Sequence, residues 1–372
     1  MQRETRVAPS VGDTQRALPV LSVRGLRLHY PGSGSRRKSS PPVKAVDGVD
    51  LDMTEGETLG LVGESGCGKT SVGRAIVRAI DPTEGEIHYR KADGSVVDIA
   101  GLRGRRLHPL REDIRMIFQD PYASLNPRMT LLDIIGEPLK IARNPTKADL
   151  REVVGGLLQR VGLRREYMDR YPHAFSGGER QRVGIARTLS LDPRVVVADE
   201  AVSALDVSVR AQILDLLCDL RDERGLTYLF IAHDLAVVEQ LCDRVAVMYV
   251  GKIVENATTE QLFSKPLHPY TEALLSAVPS PDPRSRFNRE RIRLHGDVAD
   301  PADPPAGCYF HPRCPYAEQR CREEEPRLRD LGEGRTVACH FAEELKLQGA
   351  SPTPAITMPP LPPALAPPNP HL

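Results

Sequence analysis

The octapeptide Gly63-Glu64-Ser65-Gly66-Cys67-Gly68-Lys69-Thr70 constrains this chain more than any other stretch. It follows an apolar run, Thr58 to Val62, and opens onto a helix-compatible run from Ser71 to Ile80. A strand, a turn of the form G-x-x-x-x-G-K-[ST] and a helix together make a phosphate-binding loop. The residue types follow from the chemistry. Glycines let successive N–H groups curl around phosphate oxygens, and the helix behind presents the positive end of its dipole to them. Lys69 is placed to reach the β- and γ-phosphates, and the Thr70 hydroxyl to ligate Mg²⁺. A chance glycine turn with a surface lysine does not account for the full match and both flanks. The chain is expected to bind a nucleoside triphosphate.

Composition narrows the class. At 372 residues the chain has room for one large domain and a smaller one. Lys plus Arg and Asp plus Glu balance at 50 each, so there is no electrostatic footprint for nucleic acid, whose binders carry a basic surplus. No apolar run approaches the length of a membrane span, and no signal peptide is recognisable. A cytosolic chain is expected, reaching any membrane through a partner. Met1 to Ala17 is polar and is expected to be disordered, as is the proline-rich tail from 346 to 372.

Leu21 to Tyr30 and Val43 to Met53 alternate apolar and polar residues as half-buried antiparallel strands do. Ile114 to Phe118 is a further apolar run, closed by Gln119. Leu131 to Met168 has apolar residues at threes and fours and reads as an inserted helical subdomain. Ser176-Gly177-Gly178-Glu179 then opens a helix, either as an anion-binding N-terminus or as an ordinary N-cap. Val195 to Ala198 is a buried parallel-type strand ending in Asp199-Glu200. Two carboxylates there are costly unless a cation or ligand occupies them. Asp199 is placed to hold Mg²⁺, leaving Glu200 free to act as base on a water. Ser203 to Asp206 leads into an amphipathic helix, Val209 to Arg224, and the strand Thr227 to Ala232 ends at His233.

Cysteine usage is uneven. Cys67, Cys218 and Cys242 are scattered, whereas Cys308, Cys314, Cys321 and Cys339 crowd the end, with five, six and seventeen residues between them. In a reducing compartment such a cluster points to metal more than to disulfides. The spacing is neither that of a zinc knuckle nor that of a ferredoxin run, and four free thiols remain an alternative.

With these pieces in this order, Leu21 to Leu262 resembles the ATP-binding cassette family. Gly63 to Thr70 looks like Walker A, Gln119 like the Q-loop and Phe175 to Glu179 like the signature. Val195 to Glu200 looks like Walker B, Ser203 to Asp206 like the D-loop and His233 like the switch histidine. Phe175 and Glu179 stand where Leu and Gln are usual, and Ala201 replaces a common proline. The extra carboxylate of Glu179 is expected to weaken ATP affinity slightly at a partner's site. Within the family, Phe118-Gln119-Asp120-Pro121-Tyr122-Ala123-Ser124-Leu125-Asn126-Pro127 resembles the ATPases of dipeptide and oligopeptide importers. So do Leu267-His268-Pro269-Tyr270-Thr271 and Arg313-Cys314-Pro315.

The resemblance implies an α/β fold: a RecA-like core, an antiparallel β subdomain and a helical subdomain at about 120–190, all within 18–262. A small C-terminal cysteine-containing domain, 263–345, follows. It implies ATP and Mg²⁺ as ligands, Tyr30 against adenine, and Ser71 beside Thr70 at the phosphates. Mg²⁺ would be held by Thr70, Gln119 and Asp199. Catalysis would fall to Glu200, His233 and Gln119, with Asp206 in the D-loop. Ser176, Gly177, Gly178 and Glu179 would face the ATP of a second, homologous ATPase subunit. Two transmembrane permease subunits and an extracytoplasmic substrate-binding protein complete the implied assembly, on the cytoplasmic face of a bacterial inner membrane. It also favours a [4Fe–4S] cluster on Cys308, Cys314, Cys321 and Cys339. Importers of nickel or glutathione share this ATPase type. A soluble cassette ATPase uncoupled from transport is the rival class.

Overall fold

The computed structural model describes residues 18–32, 41–120, 124–278 and 292–350. The expectations for the first 17 residues and for 351–372 lie outside the described residues. A four-stranded antiparallel sheet has the order β2-β1-β4-β5, built from β1 (Leu21–Tyr30), β2 (Val43–Met53), β4 (Glu84–Arg90) and β5 (Val96–Asp98). Its alternating burial matches the alternation of the sequence.

The second sheet holds β3 (Thr58–Val62), β6 (Ile114–Ile117), β7 (Val195–Asp199), β8 (Thr227–Ile231), β9 (Arg244–Tyr249), β10 (Lys252–Thr258), β11 (Arg329–Asp330) and β12 (Thr336–Val337). Its order is β11-β12-β10-β9-β3-β8-β7-β6. β3, β6, β7, β8 and β9 run parallel. Every residue of β3, β7 and β8 is buried, as strands covered on both faces require. Register decides what meets at their carboxyl edge. Leu61 lies opposite Ile231, and Ile231 opposite Asp199. The loop after β3, the carboxylates ending β7 and the histidine after β8 therefore emerge side by side, where ligands of such sheets bind.

The helical insertion is two helices and a turn. Leu131–Arg143 is capped by Thr130 and Lys147–Arg160 by Thr146, each hydroxyl accepting from the backbone three residues on. They pack through Leu131, Ile135, Val154 and Leu158 onto Val183 and Ile185 of helix Gly177–Leu189. Phe175, the unusual first residue of the signature, is buried here edge-on to Tyr167, ring centroids 5.4 Å apart. Its larger ring is thus absorbed by the helical core.

The region expected as an accessory domain beyond 262 is stitched to the cassette. β12 adds to the edge of β10, with Val337 opposite Glu255. Tyr270 and Phe310 pack against Tyr249 of β9, with ring centroids 4.7 and 5.3 Å away. Glu255, fully buried, accepts from the backbones of Leu267 (2.8 Å) and His268 (3.0 Å) and pairs with Arg335 at 2.9 Å. Removing one partner of so buried a pair costs about 3–5 kcal/mol, because the other charge stays behind. Among the described residues, no helix is long and apolar enough to cross a membrane.

Candidate nucleotide site

The loop between β3 and helix Lys69–Ile76 is shaped by close backbone packing. Gly68 has φ +107°, and a Cβ on it would lie 1.9 Å from the Ala45 carbonyl oxygen. Only glycine fits there. Lys69 is nearly buried, and its ammonium donates to the carbonyls of Gly63 (2.7 Å) and Glu64 (2.9 Å), beside the Cys67 sulfur. The Tyr30 hydroxyl lies 3.4 Å from Ser71 Oγ, which brings the first strand's aromatic to the start of the same helix.

The expected carboxylates arrive as a pair with separate partners. Thr70 Oγ1 donates to Asp199 Oδ1 at 3.0 Å. Burial pushes the Asp199 carboxyl up, and the charge of Glu200 adds to this; the Thr70 hydrogen bond opposes both. A part-buried hydroxyl beside a buried carboxylate, both oxygen donors, suits a hard divalent cation such as Mg²⁺. The Glu200 backbone, directly after Asp199, is left-handed, φ +44°. Such a conformation in a non-glycine residue costs about 1–3 kcal/mol and persists only where neighbours impose it. Here Glu200 N donates to the Ile231 carbonyl at 3.0 Å, and Ser203 Oγ donates to the Glu200 carbonyl at 3.0 Å.

Two further residues, distant in sequence, converge on one oxygen of Glu200. Gln119 Nε2 donates to Oε2 at 2.8 Å, and His233 Nδ1 lies 3.4 Å from the same atom. An amide and an imidazole thus hold the carboxylate beside a phosphate loop and a cation site. The arrangement can orient and deprotonate a water for in-line attack on a terminal phosphate.

The remaining expected residues use their polar groups to cap helices. Ser176 Oγ accepts from Glu179 N at 3.3 Å, while Glu179 Oε2 accepts from Ser176 N and Oγ, both at 2.9 Å. The two residues thus form a reciprocal capping box. The Glu179 charge is engaged by its own helix end. Gly177 begins that helix, and a Cβ on Gly178 would meet Val209 Cγ1 at 2.3 Å, so only glycine lets helix Val207–Arg224 approach. Asp206 caps that helix, accepting from Val209 N at 2.9 Å and Ser208 Oγ at 2.8 Å.

Tyr270 and Arg313 were not legible as site residues, yet both touch the loop. Glu64 N donates to the Tyr270 hydroxyl at 2.8 Å. Arg313 pairs with the Glu64 carboxylate at 2.7 and 3.2 Å. Their segments stood out in the sequence, but no motif says where those side chains reach. Cys308, Cys314, Cys321 and Cys339 line one small shared pocket and are all free of disulfides. Burial pushes the Cys308 and Cys314 thiols up, to about 11 and about 12, and nearby Cys321 and Cys339 add to both. Among the described residues no three His, Cys, Asp or Glu side chains are grouped to hold a metal ion. The expectation of a metal at the cysteines gains no support from that geometry.

Fold and site together define a P-loop ATPase. The ABC transporter family model matches residues 46–203, and that of the oligopeptide/dipeptide transporter C-terminal region matches 254–321. A putative oligopeptide transport ATP-binding protein of Bacillus subtilis, YkfD, is 51% identical over 328 residues, 88% of this chain and 96% of its own. The dipeptide transport ATP-binding protein DppF of Haemophilus influenzae is 50% identical over 321 residues, 86% and 96% of the two chains. The dimeric ATP-binding cassette MJ0796, solved with ADP and Pi, is 26% identical, with a TM-score of 0.56 over 64% of this chain and 98% of that one. The chain belongs to the ATP-binding cassette family, among the ATP-binding subunits of oligopeptide and dipeptide transporters.

Proposed function

We propose that this chain is one of two ATPase subunits powering a bacterial inner-membrane importer of dipeptides or oligopeptides. It sits on the cytoplasmic face, held there by two permease subunits, and an extracytoplasmic binding protein delivers the cargo. The observation that carries this reading is the convergence of Gln119 and His233 on Glu200, in a chain whose cassette matches the ABC transporter model and whose C-terminal region matches that of oligopeptide/dipeptide transporters.

Glu200 accepts the proton of the attacking water, and His233 passes from Glu200 to the γ-phosphate. Gln119 spends its amide N–H₂ on Glu200, which leaves the carbonyl oxygen for the cation. Thr70, Asp199 and Gln119 would hold Mg²⁺, which when bound would supply positive charge against the charge that develops on the phosphoryl oxygens. Gly63 to Ser71 cradle the phosphates, and Tyr30 stacks on adenine. Ser176, Gly177 and Gly178 address the nucleotide of the second, homologous subunit, while Glu179 braces their helix end. Closure of the two cassettes moves the permease because the closed state binds ATP more tightly than the open one. In vesicles holding the permeases and this ATPase pair, with binding protein present, ATP should drive uptake of a labelled dipeptide. Uptake of nickel or glutathione, and not peptide, would overturn the cargo assignment.

Cys308, Cys314, Cys321 and Cys339 belong to the same proposal as ligands of a [4Fe–4S] cluster. Four free thiols around one pocket supply the number and softness of donor, and a cluster needs its ligands wider apart than a single ion does. Anaerobically purified protein should be brown, with about four iron and four sulfide per chain. Serine at any one of the four should bleach it, whereas Cys218→Ser and Cys242→Ser should not. Colourless protein with one zinc, or with no metal, would sink the cluster.

A further inference from the structure

Glu64 is the second residue of the phosphate loop, and each of its polar groups is already engaged. Its carboxylate meets Arg313 through two hydrogen bonds, 2.7 and 3.2 Å, in the forked geometry that fixes direction as well as distance. Its N–H goes to the Tyr270 hydroxyl at 2.8 Å, and its carbonyl receives the Lys69 ammonium at 2.9 Å. Two of these partners come from beyond the cassette motifs, more than 200 positions along the chain.

Both partners are rigidly mounted. Tyr270 is fully buried, its ring against Tyr249 and Phe310. The Arg313 side chain is only 8% exposed. Arg313 ends a tight turn, His311–Arg313, between two of the clustered cysteines. His311 N donates to the Cys308 carbonyl at 3.0 Å, and Cys314 N to the His311 carbonyl at 3.3 Å. The turn that aims Arg313 is thus pinned at both ends by Cys308 and Cys314.

We propose that Arg313 and Tyr270 are positioning residues for the phosphate loop, so that the C-terminal segment sets the ATP affinity of this cassette. Arg313 has a second effect. A bare carboxylate at Glu64 would stand beside a triphosphate of the same sign, and the guanidinium cancels it. The inference rests on the assignment of Gly63 to Thr70 as the phosphate loop, and not on what the four cysteines hold.

Equilibrium binding of a fluorescent ATP analogue to the full chain tests it, alongside KM and kcat of the assembled transporter. Arg313→Gln should weaken binding about tenfold, the scale of one hydrogen bond to a charged group, and should raise KM more than it lowers kcat. Adding Glu64→Gln to that variant should recover much of the loss, because the stranded charge goes with it. Tyr270→Phe keeps the buried ring and should weaken binding a few-fold. Unchanged binding in Arg313→Gln and Tyr270→Phe would overturn the proposal. So would a loss in Arg313→Gln that Glu64→Gln does not relieve, which marks a role in folding alone. Should Arg313→Gln not fold, Arg313→Lys, which keeps the charge and loses the fork, carries the same comparison. Lys69→Ala is the control: full ATP binding in that variant would overturn the loop assignment itself.

Discussion

Glu200→Gln should lower ATP turnover by about 10²–10⁴-fold, the range expected for loss of a positioned general base. Nucleotide binding should stay within a few-fold of wild type. The amide has the shape of the carboxylate, and the loop contacts of Lys69 and the Thr70–Asp199 pair lie on other residues. What disappears is the capacity of Oε2, now held by Gln119 at 2.8 Å, to take a proton. Without turnover the ATP-bound pair of cassettes should accumulate in its closed form. Single-turnover hydrolysis and equilibrium binding in the assembled transporter separate the two effects. Hydrolysis near the wild-type rate would remove Glu200 from the role of base.

The isolated chain should hydrolyse ATP at least about 10²-fold more slowly than the reconstituted complex. That is the scale of losing one preorganised donor aimed at the transferring phosphoryl group. In the single chain, Ser176 closes its hydrogen bonds with Glu179 in its own helix cap, and Asp206 does the same at the next helix. In the proposed reading these helix ends serve the nucleotide of a second subunit, and the similar cassette MJ0796 was solved as a dimer with ADP and Pi. Rates measured over a dilution series of the chain alone, and then with its partner subunit and permeases, make the comparison. Full activity of a dilute monomer would show that one chain holds a complete site.

Much of this was legible in the sequence because the chemistry is local. Gly63 to Thr70 carries its own geometry: glycines where the backbone must pass close, a lysine and a threonine at fixed offsets, and a strand and helix on either side. Asp199-Glu200 could be read because two carboxylates ending a buried strand require an explanation. The alternation of the first two strands and the threes and fours of 131–168 likewise report contacts within an element.

Tertiary structure decided what depends on where side chains end. That Gln119 and His233 share one oxygen of Glu200 follows from the alignment of β6, β7 and β8 and the left-handed turn at Glu200. That the Glu179 carboxylate closes a capping box with Ser176 is a choice among rotamers made by the helix end. That Arg313 and Tyr270 reach the phosphate loop required β9 and β10 to carry the C-terminal segment back over β3. A pattern in sequence constrains residues a few positions apart. Contacts between positions 64 and 313 are set by packing, which selects one arrangement among many that the local pattern allows.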